Sequence, residues 1–419
     1  MIVRALPAIL TLALILAPWA RPADSTSYAG TVAFVGAETS GMALKVSGST
    51  ATVSLAPGHV ADAHVAVRRV GTALRFSVPG LPKPVAFVLR QKGARLVGTA
   101  AQGSVRGTVT LTRGARSPDA SLGYYASPRV EVVRFTRFGF SSSPLAVDLD
   151  TGAFLAPPAS PGERLAVRQY EVRIPAVGAV LAGTLTLPPG PGPFPAAVYV
   201  SGSGPTLREE SHWLDSVFVS HGIAALGYDK RGVGQSSGRY PGSLASAATI
   251  DQLAGDAVAA ARFAAAQPGI DRTRVGFYGI SQAGWIIPQA AVRAGRAVSW
   301  AVIESGPLVT QGESDSFYNV AQSGSIADAE AQAEALGPSG YDPAPWVRQL
   351  AIPVLWLYGG ADRNQPTGRS MQLLRGLSTG HDFDTALFPS APHSLFDRVG
   401  FPDGLFARVA GWLAAHSLD

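Results

Sequence analysis

From residue 28 to about residue 113, apolar and polar residues alternate in short segments with a glycine at nearly every boundary. A period of two is the signature of strands with one face on a core and the other in water. Within residues 104–112, Val105, Val109 and Leu111 share one face, while Arg106, Thr108, Thr110 and Thr112 share the other. Leu74, Phe76 and Val78 alternate in the same way with Arg75 and Ser77. Turn pairs such as Ser47-Gly48, Pro57-Gly58 and Lys92-Gly93 separate the segments. Residues 24–125 are therefore expected to form a small all-β antiparallel domain, a barrel or a sandwich. The alternation weakens between about residues 115 and 165, where Pro157, Pro158, Pro161 and Gly162 cluster with Ala and Ser. Residues 126–165 are expected to be a linker.

Beyond it the pattern changes. Apolar runs at 196–200, 223–226, 275–278, 300–303 and 353–358 alternate with Ala-rich stretches of helical period. Runs apolar on every residue suit strands buried on both faces, so residues 166–419 read as an α/β domain: a mostly parallel sheet with covering helices. Thr249 and Gln252 form a capping-box pattern, and Leu253, Ala257, Ala261 and Ala264 recur at helical spacing until Pro268-Gly269.

Composition narrows the class. The 419 residues exceed one typical domain of about 100 to 200 residues. A hydrophobic content of 47% with 15% charged residues excludes a long disordered polyampholyte. The formal charge of +5 is scattered, with no basic run, so no nucleic-acid partner is expected. Arg4 followed by the apolar stretch 6–17 reads as a secretory signal over residues 1–20, too short for a span of about 20 apolar residues. Cleavage is expected near Ala20, placing the mature protein outside the cytoplasm. Pro18 departs from the small-x-small rule, so membrane attachment is expected only if the segment stays uncleaved. The chain has no cysteine, which excludes disulfides, a thiolate nucleophile and Cys-based zinc sites. Oligomeric state has no signal in the sequence.

The sequence Val275-Gly-Phe-Tyr-Gly-Ile-Ser281-Gln-Ala-Gly-Trp285 sets a serine between a buried strand and a helix, flanked by small residues. A nucleophile on a tight strand-to-helix turn needs small neighbours, here Gly279 and Ala283, for the two backbones to approach. The helix start then aims free N–H groups at a developing oxyanion. Upstream, Ser201-Gly-Ser-Gly-Pro205 follows the run 196–200, and its glycines suit a second backbone donor. Ser203 is the candidate, with Gly204 as the alternative; Gln282 is the candidate first donor. Downstream, Gly359-Gly-Ala-Asp362 ends an apolar strand, and Leu387-Phe-Pro-Ser-Ala-Pro-His393 supplies a histidine braced by prolines. Ser281, Asp362 and His393 follow in the order Ser, Asp, His used by one serine-hydrolase fold. Of the seven histidines, His393 is the best placed, and His381 is the rival. Taken singly, each motif also reads as an ordinary turn or a solvated loop residue; the constellation carries the assignment.

Together Ser201-Gly-Ser-Gly-Pro205, Tyr228-Asp-Lys-Arg-Gly-Val-Gly-Gln-Ser236, the Ser281 elbow, Gly359-Gly-Ala-Asp362 and Pro392-His393 resemble the bacterial α/β-hydrolase family. The likeness is to its dienelactone-hydrolase-like and serine-aminopeptidase-like esterase branches, and it covers about residue 169 to the C-terminus. Two positions depart from the family pattern: Ser201 stands where a histidine usually opens the oxyanion loop, and Ala283 replaces the last glycine of the elbow. The resemblance implies that residues 308–344, polar, Ala-rich and acidic, form a cap over the site, a plain solvated helix being the alternative. It also allows a small β-rich domain in front.

The segment 229–238 is glycine-rich but lacks the ending of a P-loop and the spacing of a dinucleotide site, so no nucleotide is expected and Asp229 and Arg231 read as loop braces. No metal-ligand motif occurs, and neither metal nor cofactor is expected. The expected activity is a secreted serine hydrolase that cleaves a small-molecule carboxylic ester through Ser281, His393 and Asp362. A thioesterase or peptidase on the same machinery is the first alternative. A non-catalytic binding protein on a vestigial hydrolase fold is the second.

Overall fold

A computed structural model of the chain describes residues 25–34, 39–55, 60–78, 84–115, 123–126, 129–134, 144–155, 163, 165–208, 217–243, 245–397 and 399–418. The expected signal, residues 1–20, and the proline cluster at 157–161 lie outside them. The first unit is a nine-stranded antiparallel sheet: β1 (Ser25–Phe34), β2 (Thr39–Ser47), β3 (Thr50–Leu55), β4 (Val60–Ala66), β5 (Arg68–Val70), β6 (Ala73–Val78), β7 (Val85–Lys92), β8 (Arg95–Gln102) and β9 (Val105–Arg113). Its order is β4-β3-β2-β1-β9-β8-β7-β6-β5, so the first and last strands pair in the middle. Near the two ends β4 and β6 come into contact, rolling the sheet almost into a barrel. The rolled face encloses Val32, Met42, Leu44, Val53, Phe87, Leu89 and Leu111, with Phe76 stacked on Phe87 at 4.9 Å. Alternation predicts this interior except at Val105, which is 44% exposed because it opens its strand beyond the core.

The stretch expected as a linker, 126–165, is not one throughout. A second antiparallel sheet, β10 (Gly123–Ala126), β11 (Arg129–Arg134), β12 (Pro144–Asp148) and β13 (Phe154–Leu155), runs as a meander through it. These strands are short and pack on both sides, so their alternation is weak. Tyr125, Val130, Val132 and Ala146 form one cluster, whereas Tyr124 and Leu149 pack on Val219 and Ala225 of the following domain.

That domain is an eight-stranded sheet of β14 (Arg168–Ala176), β15 (Ala179–Leu187), β16 (Phe194–Val200), β17 (Ala224–Tyr228), β18 (Ile270–Ile280), β19 (Trp300–Glu304), β20 (Val354–Gly359) and β21 (Phe383–Phe388). The order is β14-β15-β17-β16-β18-β19-β20-β21; β14, β15 and β17 pair antiparallel, and all pairs from β17 to β21 are parallel. Successive residues feed opposite layers. Ala196, Val198 and Val200 join one core with helices α1 (Ala247–Ala265) and α2 (Ala283–Ala294), while Ala197 and Tyr199 join another. Both faces are covered, hence the unbroken apolar runs. The expected cap of α1 is displaced: Ser246 accepts the Thr249 N–H at 3.2 Å, and Thr249 lies inside the helix.

After β19 come α3 (Gln311–Ala321), α4 (Ile326–Leu336) and the short α5 (Ala344–Val347); α6 (Thr367–Leu377) follows β20 and α7 (Leu405–Ala415) closes the chain. Helices α3 and α4 fill most of the span 308–344 and share a seam of Phe317, Ala321, Ala329 and Ala333. Glu330 accepts the N–H groups of Gly368 and Arg369 at the start of α6, at 2.7 and 2.9 Å. Arg363, one residue past Asp362, donates to the carbonyls of Ala321 and Gly324. The helix pair is thereby tied to the loop that carries Asp362. Helix α7 packs its Val409, Trp412 and Leu413 against the second core, which also takes in Val147 of β12.

Candidate active site

Parallel strands bring their carboxyl ends to one edge, and Ser281, Asp362 and His393 all follow such ends: β18, β20 and β21. Ser281 has φ = +61°, a left-handed conformation that costs a non-glycine residue about 1–2 kcal/mol. Its N–H donates to Glu304 O at 2.9 Å, and its carbonyl accepts the Gly284 N–H at 2.8 Å. The turn admits no side chain at two neighbours. A Cβ on Gly279 would stand 2.5 Å from Ala283 Cβ and from Val200 O, and one on Gly284 2.6 Å from Gly306 Cα.

Asp362 is buried, and each of its oxygens has a fixed task. Oδ1 accepts the N–H groups of Asn364 and Gln365 at 2.7 and 2.9 Å, while Oδ2 lies 2.8 Å from Nδ1 of His393. In the neutral ring that contact places the proton on Nδ1 and leaves Nε2 as an acceptor. His393 reaches this position because the loop after β21 folds back across the end of β20. Gly360 N–H donates to Phe388 O at 2.9 Å, and Ala361 N–H to Ala391 O at 3.0 Å. A Cβ on Gly359 would lie 2.4 Å from Ala391 O and 2.5 Å from Pro392 O, so only glycine permits the crossing. Beyond the histidine, Leu395 and Phe396 enter the same core as Tyr199 and Tyr278.

The second sheet holds the far end of that loop. Phe154 N–H donates to Val399 O at 2.8 Å, Phe401 N–H to Gly152 O at 3.2 Å, and Phe154 packs on Phe396 and Phe401 with centroids 5.9 and 5.7 Å apart. The rival His381 precedes β21 and therefore sits at the opposite edge of the sheet, its Nδ1 2.8 Å from Leu350 O and its ring stacked on Phe383.

The loop after β16 runs beside Ser281: a Cβ on Gly202 would stand 3.2 Å from Ser281 Cβ. Among the described residues the backbone N–H groups of Ser203 and Gln282 have no hydrogen-bond partner. Asp229 and Arg231 do brace their loop. Asp229 accepts the Gln235 N–H at 2.8 Å and pairs with Arg208 at 3.1 Å, and Arg231 pairs with buried Asp256 through two hydrogen bonds. Burial pushes both carboxyls upward against the pull of the guanidiniums.

Two buried groups at the site have no counterpart in the sequence reading. Lys230, between the two braces, reaches into the loop 201–204. Glu304, at the end of β19, accepts from Tyr278 Oη, and its Oε1 has no partner among the described residues. Burial pushes its carboxyl up to about 8. The only hint was a lone charge closing the apolar strand β19 at Glu304, whereas Lys230 stands in a run of three charges after β17. The described residues hold no group of three or more His, Cys, Asp or Glu arranged to hold a metal, and no helix long and apolar enough to cross a membrane.

The sequence model of the prolyl oligopeptidase family matches residues 210–417. Two curated relatives, each named probable dipeptidyl-aminopeptidase B, from Paracoccidioides brasiliensis and Paracoccidioides lutzii, are 25% identical over 235 residues, 52% of this chain. The chain spans about a quarter of the length of these relatives, 24%. Among solved structures, an esterase of Pyrococcus furiosus superposes with a TM-score of 0.47 at 16% identity, covering 62% of this chain and 97% of that one. A dienelactone hydrolase from Anabaena variabilis gives 0.41 at 17% identity, over 59% and 96%. Dipeptidyl peptidase 4 of Porphyromonas gingivalis gives 0.46 at 14% identity, over 90% and 62%.

Proposed function

We propose that this chain, which is a serine hydrolase of the α/β-hydrolase fold, cleaves a carboxylic ester with Ser281 as nucleophile, His393 as base and Asp362 as its partner. The observation that carries the reading is the pairing of a left-handed serine between β18 and α2 with a histidine held 2.8 Å from a buried carboxylate at the same sheet edge. His393 Nε2 takes the Ser281 proton as Oγ attacks the acyl carbonyl, and the N–H groups of Gln282 and Ser203, which have no partner among the described residues, receive the oxyanion. The imidazolium, stabilised by Asp362, gives its proton to the leaving alcohol. Water then attacks the acyl-enzyme, with His393 again as base, and releases the acid.

The match of residues 210–417 to a peptidase family favours a second reading, amide cleavage by the same groups. A fluorophosphonate probe followed by peptide mapping tests the nucleophile: label on Ser281 is expected, and folded protein without label would favour a binding protein. p-Nitrophenyl esters of graded chain length, set against aminoacyl and dipeptidyl p-nitroanilides, then separate the two reactions. Turnover confined to the anilides would overturn the ester reading. The helix pair α3–α4, tied to the Asp362 loop, is the proposed cap over the acyl site. Residues 1–20 are the proposed export signal, and N-terminal sequencing of secreted protein is its test.

A further inference from the structure

We infer that Lys230 is the positioning residue of the oxyanion hole, a single buried cation that holds the backbone on either side of Ser203 and the side chain of Gln282 in place. The inference rests on the ester-hydrolase reading of Ser281. Lys230 follows β17 and is 3% exposed. Its own N–H donates to Thr206 O at 3.1 Å, and its carbonyl accepts the Val233 N–H at 3.0 Å, so its backbone is fixed to the loop it serves. Its Nζ donates to Gly202 O and, at 3.2 Å, to Gly204 O, and lies 3.5 Å from Gln282 Oε1.

These partners bracket the oxyanion donors. In a planar trans peptide the carbonyl and the next N–H point in opposite directions. Holding Gly202 O on Lys230 therefore turns Ser203 N–H to the other side of the loop, and that N–H has no partner among the described residues. The chain bends back at Gly204, with φ = +97°, and the Gly204 carbonyl returns to the same ammonium. On the other side of the nucleophile, Gln282 is held by its side chain: Oε1 near Lys230, and Nε2 donating to Ser243 O at 3.2 Å. Without the ammonium, Gly202 O loses this donor, and the Gly202–Ser203 peptide is free to rotate toward another. Such a rotation withdraws the Ser203 N–H from the position where the oxyanion forms.

The test compares the full chain with Lys230→Met, which keeps the length of the side chain and removes its donors. Readouts are kcat and KM on a p-nitrophenyl ester and the inhibition constant of a trifluoromethyl ketone with the same acyl chain, which forms a tetrahedral oxyanion on serine. The expected result is a loss of about 10²-fold in kcat, the low end of what one oxyanion donor is worth. KM stays nearly unchanged, and ketone affinity falls by the same factor as kcat/KM. Lys230→Arg, which retains donors, recovers part of the loss. A purely structural lysine would lower the melting temperature while leaving kcat per folded site and ketone affinity at the parent's values; that result overturns the inference. Should Lys230→Met show no cooperative thermal transition, Lys230→Gln, with one short donor, is held to the same criteria. A parent whose Ser281 takes no label overturns the ester reading and this inference together. An active, labelled parent with an unchanged lysine variant overturns this inference alone.

Discussion

Glu304→Gln is expected to alter how stability depends on pH more than it alters stability at any one pH. The Glu304 carboxyl is wholly buried at the end of β19, accepts one hydrogen bond from Tyr278, and is pushed up to about 8 by desolvation, from 4.5 in an unstructured chain. Tyr278 is itself held well above 10, chiefly by burial and then by Glu304, so it keeps its proton throughout. Between pH 4.5 and 8 the folded protein retains a proton that the unfolded chain releases. Stability is therefore fully present below about pH 4.5 and declines as pH rises toward the folded value, at up to about 1.4 kcal/mol per pH unit. From pH 5 to pH 8 the decline from this one group is on the order of 3 kcal/mol.

Glutamine has the same shape and accepts from Tyr278 but does not titrate. Its second amide atom takes the place of the unpartnered Oε1, a cost of about 1–3 kcal/mol at every pH. The variant is thus expected to be the less stable protein at pH 5 and to equal or exceed the parent at pH 8. Urea unfolding of both proteins at pH 5, 6, 7 and 8 measures this directly, since all other titrating groups cancel in the difference. A difference that stays constant across the four pH values would refute the reasoning and show that the carboxyl is not held protonated by burial.

Ser281→Ala is expected to remove ester hydrolysis by at least about 10⁴-fold without unfolding the protein, and equal turnover would contradict the nucleophile. Ser281→Gly is expected to be equally inactive yet up to about 1 kcal/mol more stable than Ser281→Ala, because only glycine adopts φ = +61° without strain; chemical unfolding of the two variants checks it. Gly359→Ala forces a Cβ to within 2.4 Å of Ala391 O, so the histidine loop must lift, and a displacement near 1 Å is expected to lower kcat by about 10²-fold while fluorophosphonate still reaches Ser281 slowly. Removing residues 1–115 is expected to leave hydrolysis of a small ester intact, whereas removing residues 1–165 abolishes it, because the second truncation strips Phe154 and Gly152 from the loop that presents His393. Equal activity of the two truncated proteins on p-nitrophenyl acetate would show that the second sheet does not position the histidine.

The sequence by itself determined whatever depends on residues close together in the chain. The period-two segments before residue 113 are strands because one face of each must meet water, and the unbroken apolar runs after 190 are strands because helices cover both faces. The elbow was legible for the same reason. The left-handed turn at Ser281 needs Gly279 and Ala283 within two residues, and that local part of the requirement is written in the motif even though Val200 O also crowds Gly279. Asp362 and His393 were legible as candidates from the strand ends they follow. That Nδ1 of one faces Oδ2 of the other was decided by a loop folding back over Gly359, 34 residues before His393.

Only the tertiary structure decided the rest. The stretch 126–155 reads as a linker in sequence because the strands of the second sheet are short and bury residues on both sides, which erases alternation; their burial comes in part from Val219, Ala225 and the helix α7 core, far along the chain. Lys230 resembles a loop charge until its partners 26, 28 and 52 residues away are brought around it. Glu304 resembles the polar end of a strand until the packing of β18 and β19 buries it against Tyr278. Local pattern reports which backbone a segment adopts, since backbone preference and solvent exposure repeat with a short period. It carries no record of which distant segment supplies a hydrogen bond or removes the water, and those two things set the charge state and the aim of the groups around Ser281.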